Sequence, residues 1–386
     1  MTTNSTDPSY VTVALDLNGT GNGSGGGVAS LIEFYEEHAP VATAIDRMIT
    51  PVFYFIGIPC NPLCAFIWLG RHTRRSNSSA IYLGALSISH TVFLILHIFI
   101  ELNYAWGIKT FDGYVSCELF YTIYYCPQYL APLLVLGFTV ERFIAVCYPF
   151  VKEKYCTVRR AVAVVVILLV FCFLLSCVQA YLWTFDEGYQ MCNHRESLQK
   201  SDFPRLWTWV TELVVFGIAP FAALIFNVLV MREIRSITTR GPAVMSSGGS
   251  GGQNQASTMT LLTVSFYLIC TWVPATLVYS LEREFPFGER LLPEDAEVWN
   301  RHFTYYTVRK CVEEVTLSNS ACYFFIYYLT GKHFRDRFRE VMLPKRCVAR
   351  SQAAGGSMNG RSLDAKQYIA VPCSTDNGHH TCVTNV

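Results

Sequence analysis

Residues Cys117–Arg142, CELFYTIYYCPQYLAPLLVLGFTVER, decide how this chain folds. Between Leu119 and Val140 there is no charged residue, and the pair Glu141-Arg142 closes the run. A helix rises about 1.5 Å per residue, so it advances roughly 37 Å from Cys117 to Arg142. That is the hydrocarbon thickness of a bilayer and a little more. A cysteine at one membrane face and an acid–arginine pair at the other therefore belong to one spanning helix.

The pattern repeats on both sides of this stretch. Uncharged runs cover Met48–Gly70, Ser76–Ile100, Ala161–Phe185 and Leu213–Met231, and another lies within Gly241–Leu281. Each can hold the ~20 residues a spanning helix needs. Charged residues make up only 15% of the 386-residue chain, against about 25% in soluble proteins. A seventh candidate, roughly 303–330, is interrupted by Arg309, Lys310, Glu313 and Glu314. Hydropathy alone leaves it open, and the motifs at its inner end supply the argument for it.

Charge sets the orientation. With the amino terminus outside, the inner loops and tail hold two-thirds of the 30 Lys+Arg but only about a quarter of the 29 Asp+Glu, as the positive-inside rule requires. Three sequons, at Asn4, Asn18 and Asn22, precede the first span and are expected to be glycosylated outside. The start, Met-Thr-Thr-Asn, carries no basic-then-apolar leader, so the first helix is expected to act as the signal anchor. Localisation is expected to be multi-pass in the plasma membrane. The 15 cysteines fall mostly within spans or on the inner side, where reduced thiols pack as small apolar groups.

Four regions follow. Residues 1–44 read as an outer arm rich in Gly, Ser, Thr and Asn, too polar to fold alone. Residues 45–331 form an all-α seven-transmembrane bundle. In 332–343, Phe334, Phe338, Val341 and Met342 recur at helical spacing between basic residues, the pattern of a short amphipathic eighth helix on membrane lipid. Residues 344–386 read as a disordered inner tail. Cys347 there is a candidate for palmitoylation, and the terminal Thr384-Asn385-Val386 has the form that PDZ domains take up as an added strand.

The segment Glu141-Arg142-Phe143-Ile144-Ala145-Val146-Cys147-Tyr148-Pro149 resembles the acid-Arg-aromatic motif of rhodopsin-like G-protein-coupled receptors. Cys270-Thr271-Trp272-Val273-Pro274 is similar to that family's aromatic switch in the sixth helix, where proline bends the backbone. Pro220, Gly57 and Asn61 fall where the family has its fifth-helix bend and first-helix Gly-Asn pair. Tyr327 keeps the tyrosine of the last motif. Within the family, the resemblance is to invertebrate neuropeptide receptors of the FMRFamide-receptor-like group. It implies a Cys117–Cys192 disulfide, a heterotrimeric G-protein partner, and a switch carried by Glu141, Arg142, Trp272, Pro274 and Tyr327. The inner basic residues Lys152, Lys154, Arg159, Arg160, Arg232 and Arg235 would face the G protein, although topology alone explains most of them.

Departures from the pattern are specific. His90 stands where the family has its sodium-binding aspartate, so no sodium regulation is expected. Tyr323 and Phe324 replace the Asn-Pro of the last motif. For His90 two readings stand, a neutral hydrogen-bonded core histidine and a proton sensor.

For the ligand, Cys117, Tyr121, Tyr124, Tyr125 and Gln128 share one helical face, which in the family lines the cavity. Glu101, Glu212, Glu313 and Glu314 lie at outer or middle depth, and an acid in a span faces the bundle interior. Arg309 and Lys310 precede Glu313 and Glu314 by four residues, so internal pairing competes with ligand binding. Trp272 completes the candidate set. Outer acids outnumber outer basic residues about two to one, which favours a cationic ligand. Tyr124 occupies the place of the amine-receptor acid, which disfavours biogenic amines. The expected ligand is an extracellular, cationic peptide, with an amidated end compatible. The alternatives are a chemosensory receptor of the same fold for a small molecule, a weakly coupled orphan receptor, and a transporter or channel, though no internal repeat supports the last. No catalytic constellation, metal-spaced cluster or phosphate loop occurs, and no enzyme activity, metal, cofactor or nucleic-acid partner is expected.

Overall fold

The computed structural model describes residues 27–187, 191–195, 198, 201–239, 251–281, 284–285 and 296–342. Asn4, Asn18, Asn22, Cys347 and the carboxyl-terminal motif lie outside the described residues. Residues 1–339 form one compact unit and 340–386 a second; the contacts below belong to the first.

Among the described residues, six helices are long and apolar enough to cross a membrane. They are α2 (Pro40–Leu69), α4 (Ser79–Tyr104), α5 (Tyr114–Cys147), α7 (Val158–Leu182), the run α8–α9 (Phe203–Thr211 and Ala219–Thr239, joined by a π-helical stretch at Glu212–Ile218) and α10 (Gly251–Ser280). The seventh, α11 (Ala296–Ala321), carries too much charge to qualify by composition. It belongs to the bundle by packing, with α2 and α10 as its main neighbours. The backbone breaks at Cys322 (φ −97°, ψ 2°) and resumes as α12 (Tyr323–Thr330). The seventh segment is thus interrupted even though Tyr323-Phe324 replace Asn-Pro. Short helices α1 (Gly27–His38), α3 (Arg71–Ser76) and α6 (Pro149–Tyr155) flank these spans, and α13 (Lys332–Met342) ends the series.

Gly57 shows why the helices close up where they do. A Cβ there would lie 2.3 Å from Leu94 Cδ1 and 3.1 Å from the Ala321 Cα. Only hydrogen fits, and its absence of bulk brings α2 against α4 and α11, as small residues do in membrane bundles. On the same helix, Asn61 donates to the Ser320 carbonyl at 2.8 Å. The opposite extreme is α7, whose large apolar side chains, Val166, Ile167, Leu174 and others, stay exposed. Lipid is the solvent that suits such a face.

One expectation needs correcting. The arm 1–44 is not wholly unfolded, because Gly27–His38 is helical and α2 starts at Pro40. Phe34 meets Trp299 and Phe303 at ring distances of 5.6 and 5.8 Å, and Tyr35 stacks on Tyr306 at 4.3 Å. The partner that makes this segment fold is the outer end of α11, which local composition cannot reveal. In α13, Phe334 is buried against Trp68 and Tyr327 and Phe338 packs on Phe324 and Tyr328, while Val341 and Met342 stay exposed.

Candidate functional site

At the outer end of α5, Cys117 is bonded to Cys192, with the Cα atoms 5.7 Å apart. Cys192 lies in β2 (Met191–His194), which pairs antiparallel with β1 (Trp183–Asp186). Arg195 adds an ion pair to Glu118 at 3.0 Å. The hairpin is therefore fastened across the mouth of the bundle, and it brings Trp183 onto Tyr121 with ring centroids 3.8 Å apart. Asp112, in the loop before α5, accepts from the Cys192 N–H at 3.0 Å. Burial pushes the Asp112 carboxyl above its usual range, against the donors that favour its charge.

Below the hairpin the tyrosines of α5 form a continuous wall. The hydroxyls of Tyr104 and Tyr121 share a hydrogen bond of 2.8 Å. Tyr124 packs on Phe93 and Phe120, and half-buried Gln128 follows one turn below it. From Tyr121 the rings continue through Tyr125 and Tyr129 to Phe216, which stacks on Trp272 at 4.1 Å and 7°. The outer wall and the Pro274 turn of α10 are thereby joined by one file of aromatic rings. Near that turn, Thr271 accepts at its hydroxyl from Asn319 (2.8 Å) and at its carbonyl from Thr316 (3.1 Å). These side chains from α11 reach the very turn where Pro274 offers no N–H.

The acids separate into two kinds. Glu313 is committed internally: it accepts from Arg309 at 2.8 Å, Lys310 at 3.3 Å and the Tyr279 hydroxyl at 2.9 Å. The expected Lys310–Glu314 pair does not form. Lys310 turns to Asp46 on α2, 2.9 Å away, and Glu314 accepts instead from the Thr50 hydroxyl. Glu101 and Glu212 have no ion-pair partner among the described residues. Glu212 is half-buried where the π-helical stretch begins, and Glu101 is buried.

At the inner end, Glu141 and Arg142 form no ion pair with each other. Glu141 accepts from Ser78 and Ser79 at 2.5 and 3.0 Å, and Arg142 donates to the Asn77 side-chain oxygen at 2.9 Å. All three partners sit at the start of α4, so one short segment, Asn77-Ser78-Ser79, holds both charges. Above them, His90 is hydrogen-bonded to Ser320 (3.1 Å) and stacked on Tyr323. Tyr323 in turn donates to Asn319 at 3.0 Å. Tyr327 is buried between Trp68, Tyr323 and Phe334.

This arrangement defines a class of protein. Residues 62–330 match the family model of the 7 transmembrane receptor (rhodopsin family), and the chain belongs to that family. It is a multi-pass membrane receptor and not an enzyme. Among relatives, galanin receptor 2a of Danio rerio is 21% identical over 80% of this chain and 81% of its own length. Somatostatin receptor type 5 of Rattus norvegicus is 22% identical over 78% and 79%. Lysophosphatidic acid receptor 4 of Mus musculus is 25% identical over 76% of each chain.

Several members of the site escaped the sequence reading. Phe216 and Tyr129 gave no signal beyond being apolar residues in a span. Trp183 lay at the end of the uncharged run 161–185 and read as part of a span, whereas it opens strand β1. Asp46 could have been found from its depth in the first span, since an intramembrane acid asks for a partner. Asn77 had no such cue.

Proposed function

We propose that this receptor is activated at the cell surface by an extracellular peptide carrying positive charge, and that it signals through heterotrimeric G proteins. The observation that carries the reading is the pair of acids without ion-pair partners, Glu101 and Glu212, beside a wall of tyrosines. Acids and tyrosine rings of this kind favour guanidinium or ammonium groups by charge and by cation–π contact. An amidated carboxyl terminus suits it because amidation removes the negative charge a peptide would bring. Two relatives are peptide receptors by name, for galanin and somatostatin. A third is named for a lysophosphatidic acid, and an acidic vestibule disfavours an acid.

In this reading Asn77-Ser78-Ser79 restrains Glu141 and Arg142 at rest. Ligand binding at the outer wall moves the ring file from Tyr121 to Trp272, and the helix bent at Pro274 shifts with it. Arg142 then exchanges Asn77 for the G protein, with Tyr327 following. The ligand needs only to favour the second state by its differential affinity. Membrane lipid surrounds the bundle and the amino terminus lies outside. Glycans at Asn4, Asn18 and Asn22, an acyl chain on Cys347 and a PDZ partner at Val386 complete the proposal.

The test is calcium release in cells expressing the full chain with a promiscuous G protein, challenged with a library of basic and neutral amidated peptides. A nanomolar response to a basic peptide, weakened at least tenfold by Glu212→Gln, is expected. Responses confined to neutral small molecules would overturn the peptide reading.

A further inference from the structure

The seam between α2, α4 and α11 gathers four carboxylates around two cations. Asp46 comes from α2, Glu101 from α4, and Glu313 and Glu314 from α11. Arg309 is engaged by Glu313 and lies over the Tyr279 ring, 5.0 Å from its centroid. Lys310 bridges Asp46 and Glu313 and sits over the Tyr306 ring at 5.8 Å. Arg47, one residue beyond Asp46, is bonded to Glu36 and donates to the Ala105 carbonyl. Every neighbouring cation among the described residues is thus assigned, and none of them is bonded to Glu101 or Glu314.

These two acids are the most enclosed of the group, with exposures of 5% and 6%. Each keeps one carboxylate oxygen without a hydrogen-bond partner among the described residues, Oε1 of Glu101 and Oε2 of Glu314. A buried carboxylate oxygen left unsatisfied is costly, and in a native fold it marks a group waiting for something. Each such oxygen asks for a donor, and one that also carries positive charge suits it best, which describes a guanidinium or a primary ammonium. No group of His, Cys, Asp and Glu among the described residues is arranged to hold a metal ion. Asp46, Lys310 and Glu313 are half-buried. The seam therefore sets half-buried ion pairs beside two enclosed acids.

We propose that Asp46, Glu101 and Glu314 form a cation subsite in the seam of α2, α4 and α11, and that Lys310 is its resident cation, displaced toward Glu313 when a ligand's guanidinium or ammonium enters. This rests on the cationic-ligand reading above and locates the charged group within the receptor, away from Glu212 on the opposite wall. Glu101 and Glu314 receive the entering donors, Thr50 keeps Glu314 oriented, and Tyr306 offers the ring face that Lys310 now covers.

The probe is agmatine, a free guanidinium–ammonium chain, used on the purified full-length receptor without any peptide. Millimolar agmatine is expected to raise the melting temperature by about 2–4 °C, while choline at equal ionic strength does not. The double variant Glu101→Gln/Glu314→Gln should lose that shift, and Lys310→Gln, which vacates the subsite, should enlarge it. Lys310→Gln also keeps the test decisive if the double variant does not fold. A shift that survives in the double variant, or is no larger in Lys310→Gln than in the native chain, would overturn the subsite. If basic peptides still activate the double variant at native potency and agmatine has no effect, the subsite falls while the peptide reading stands. An agmatine shift that depends on Glu101 and Glu314, in a receptor deaf to basic peptides, would do the reverse.

Discussion

The two ends of the bundle treat buried charge in opposite ways. At the inner end, Glu141 and Arg142 are held by the neutral groups of Asn77, Ser78 and Ser79. At the outer end, Asp46, Arg309, Lys310 and Glu313 pair among themselves, and Glu101 and Glu314 keep oxygens that no described residue satisfies. The lesson is a division of labour. Neutral partners release a charge at modest cost, since a hydrogen bond to a charged group is worth about 1.5–3 kcal/mol, so the inner end is built to let go. Unsatisfied buried carboxylates gain from any cation that arrives, so the outer end is built to take hold.

The largest expected effect removes the outer end's scaffold. Replacing Cys117 and Cys192 together by serine opens a loop of 75 residues and should cost on the order of 2–5 kcal/mol. It would be read as reduced surface expression and a lower melting temperature. The Asn77–Arg142 contact lies at the far end of α5, so basal signalling per surface receptor should be unchanged. A rise in basal signalling would show that the two ends are not separable in this way.

A smaller change tests what connects them. Phe216→Leu preserves apolar volume while removing the stack on Trp272, a contact worth about 0.5–1.5 kcal/mol. Agonist efficacy should fall several-fold with ligand affinity nearly intact. Equal losses of both would place Phe216 in the ligand wall and not in the link.

The smallest effect concerns Asp112, whose carboxyl burial raises. The protonated form then favours the folded state below the ordinary carboxylate pKa, and that contribution is lost as pH rises through the raised value. Melting temperature should therefore decline slightly from acid toward neutral pH, and Asp112→Asn should flatten that segment of the profile. An unchanged slope would remove Asp112 from the account.

Much of the fold was legible because lipid imposes a blunt code. Runs of uncharged residues gave six spans. The seventh span could be read only from Tyr327 and its neighbours, because Arg309, Lys310, Glu313 and Glu314 hide its apolar character. Those charges are tolerated through pairing across the fold: Lys310 meets Asp46 across 264 positions of sequence. No periodicity encodes such a meeting, and the local i,i+4 rule pointed Lys310 to the wrong partner, Glu314. Helix α1 was missed for the same reason, since Phe34 and Tyr35 fold onto Trp299, Phe303 and Tyr306. Asn77 was illegible in another sense. An asparagine before a helix reads as a cap, and only the packing of α4 on α5 makes it the acceptor for Arg142.

The most direct test of a releasable inner end needs no ligand. Basal nucleotide exchange on purified heterotrimeric G protein would be compared for the native receptor, Asn77→Ala, and Asn77→Ala combined with Arg142→Ala. Removing the Asn77 acceptor should raise basal exchange about tenfold, and removing Arg142 as well should abolish the rise. Exchange in Asn77→Ala equal to the native level, or a rise that persists without Arg142, would contradict the account.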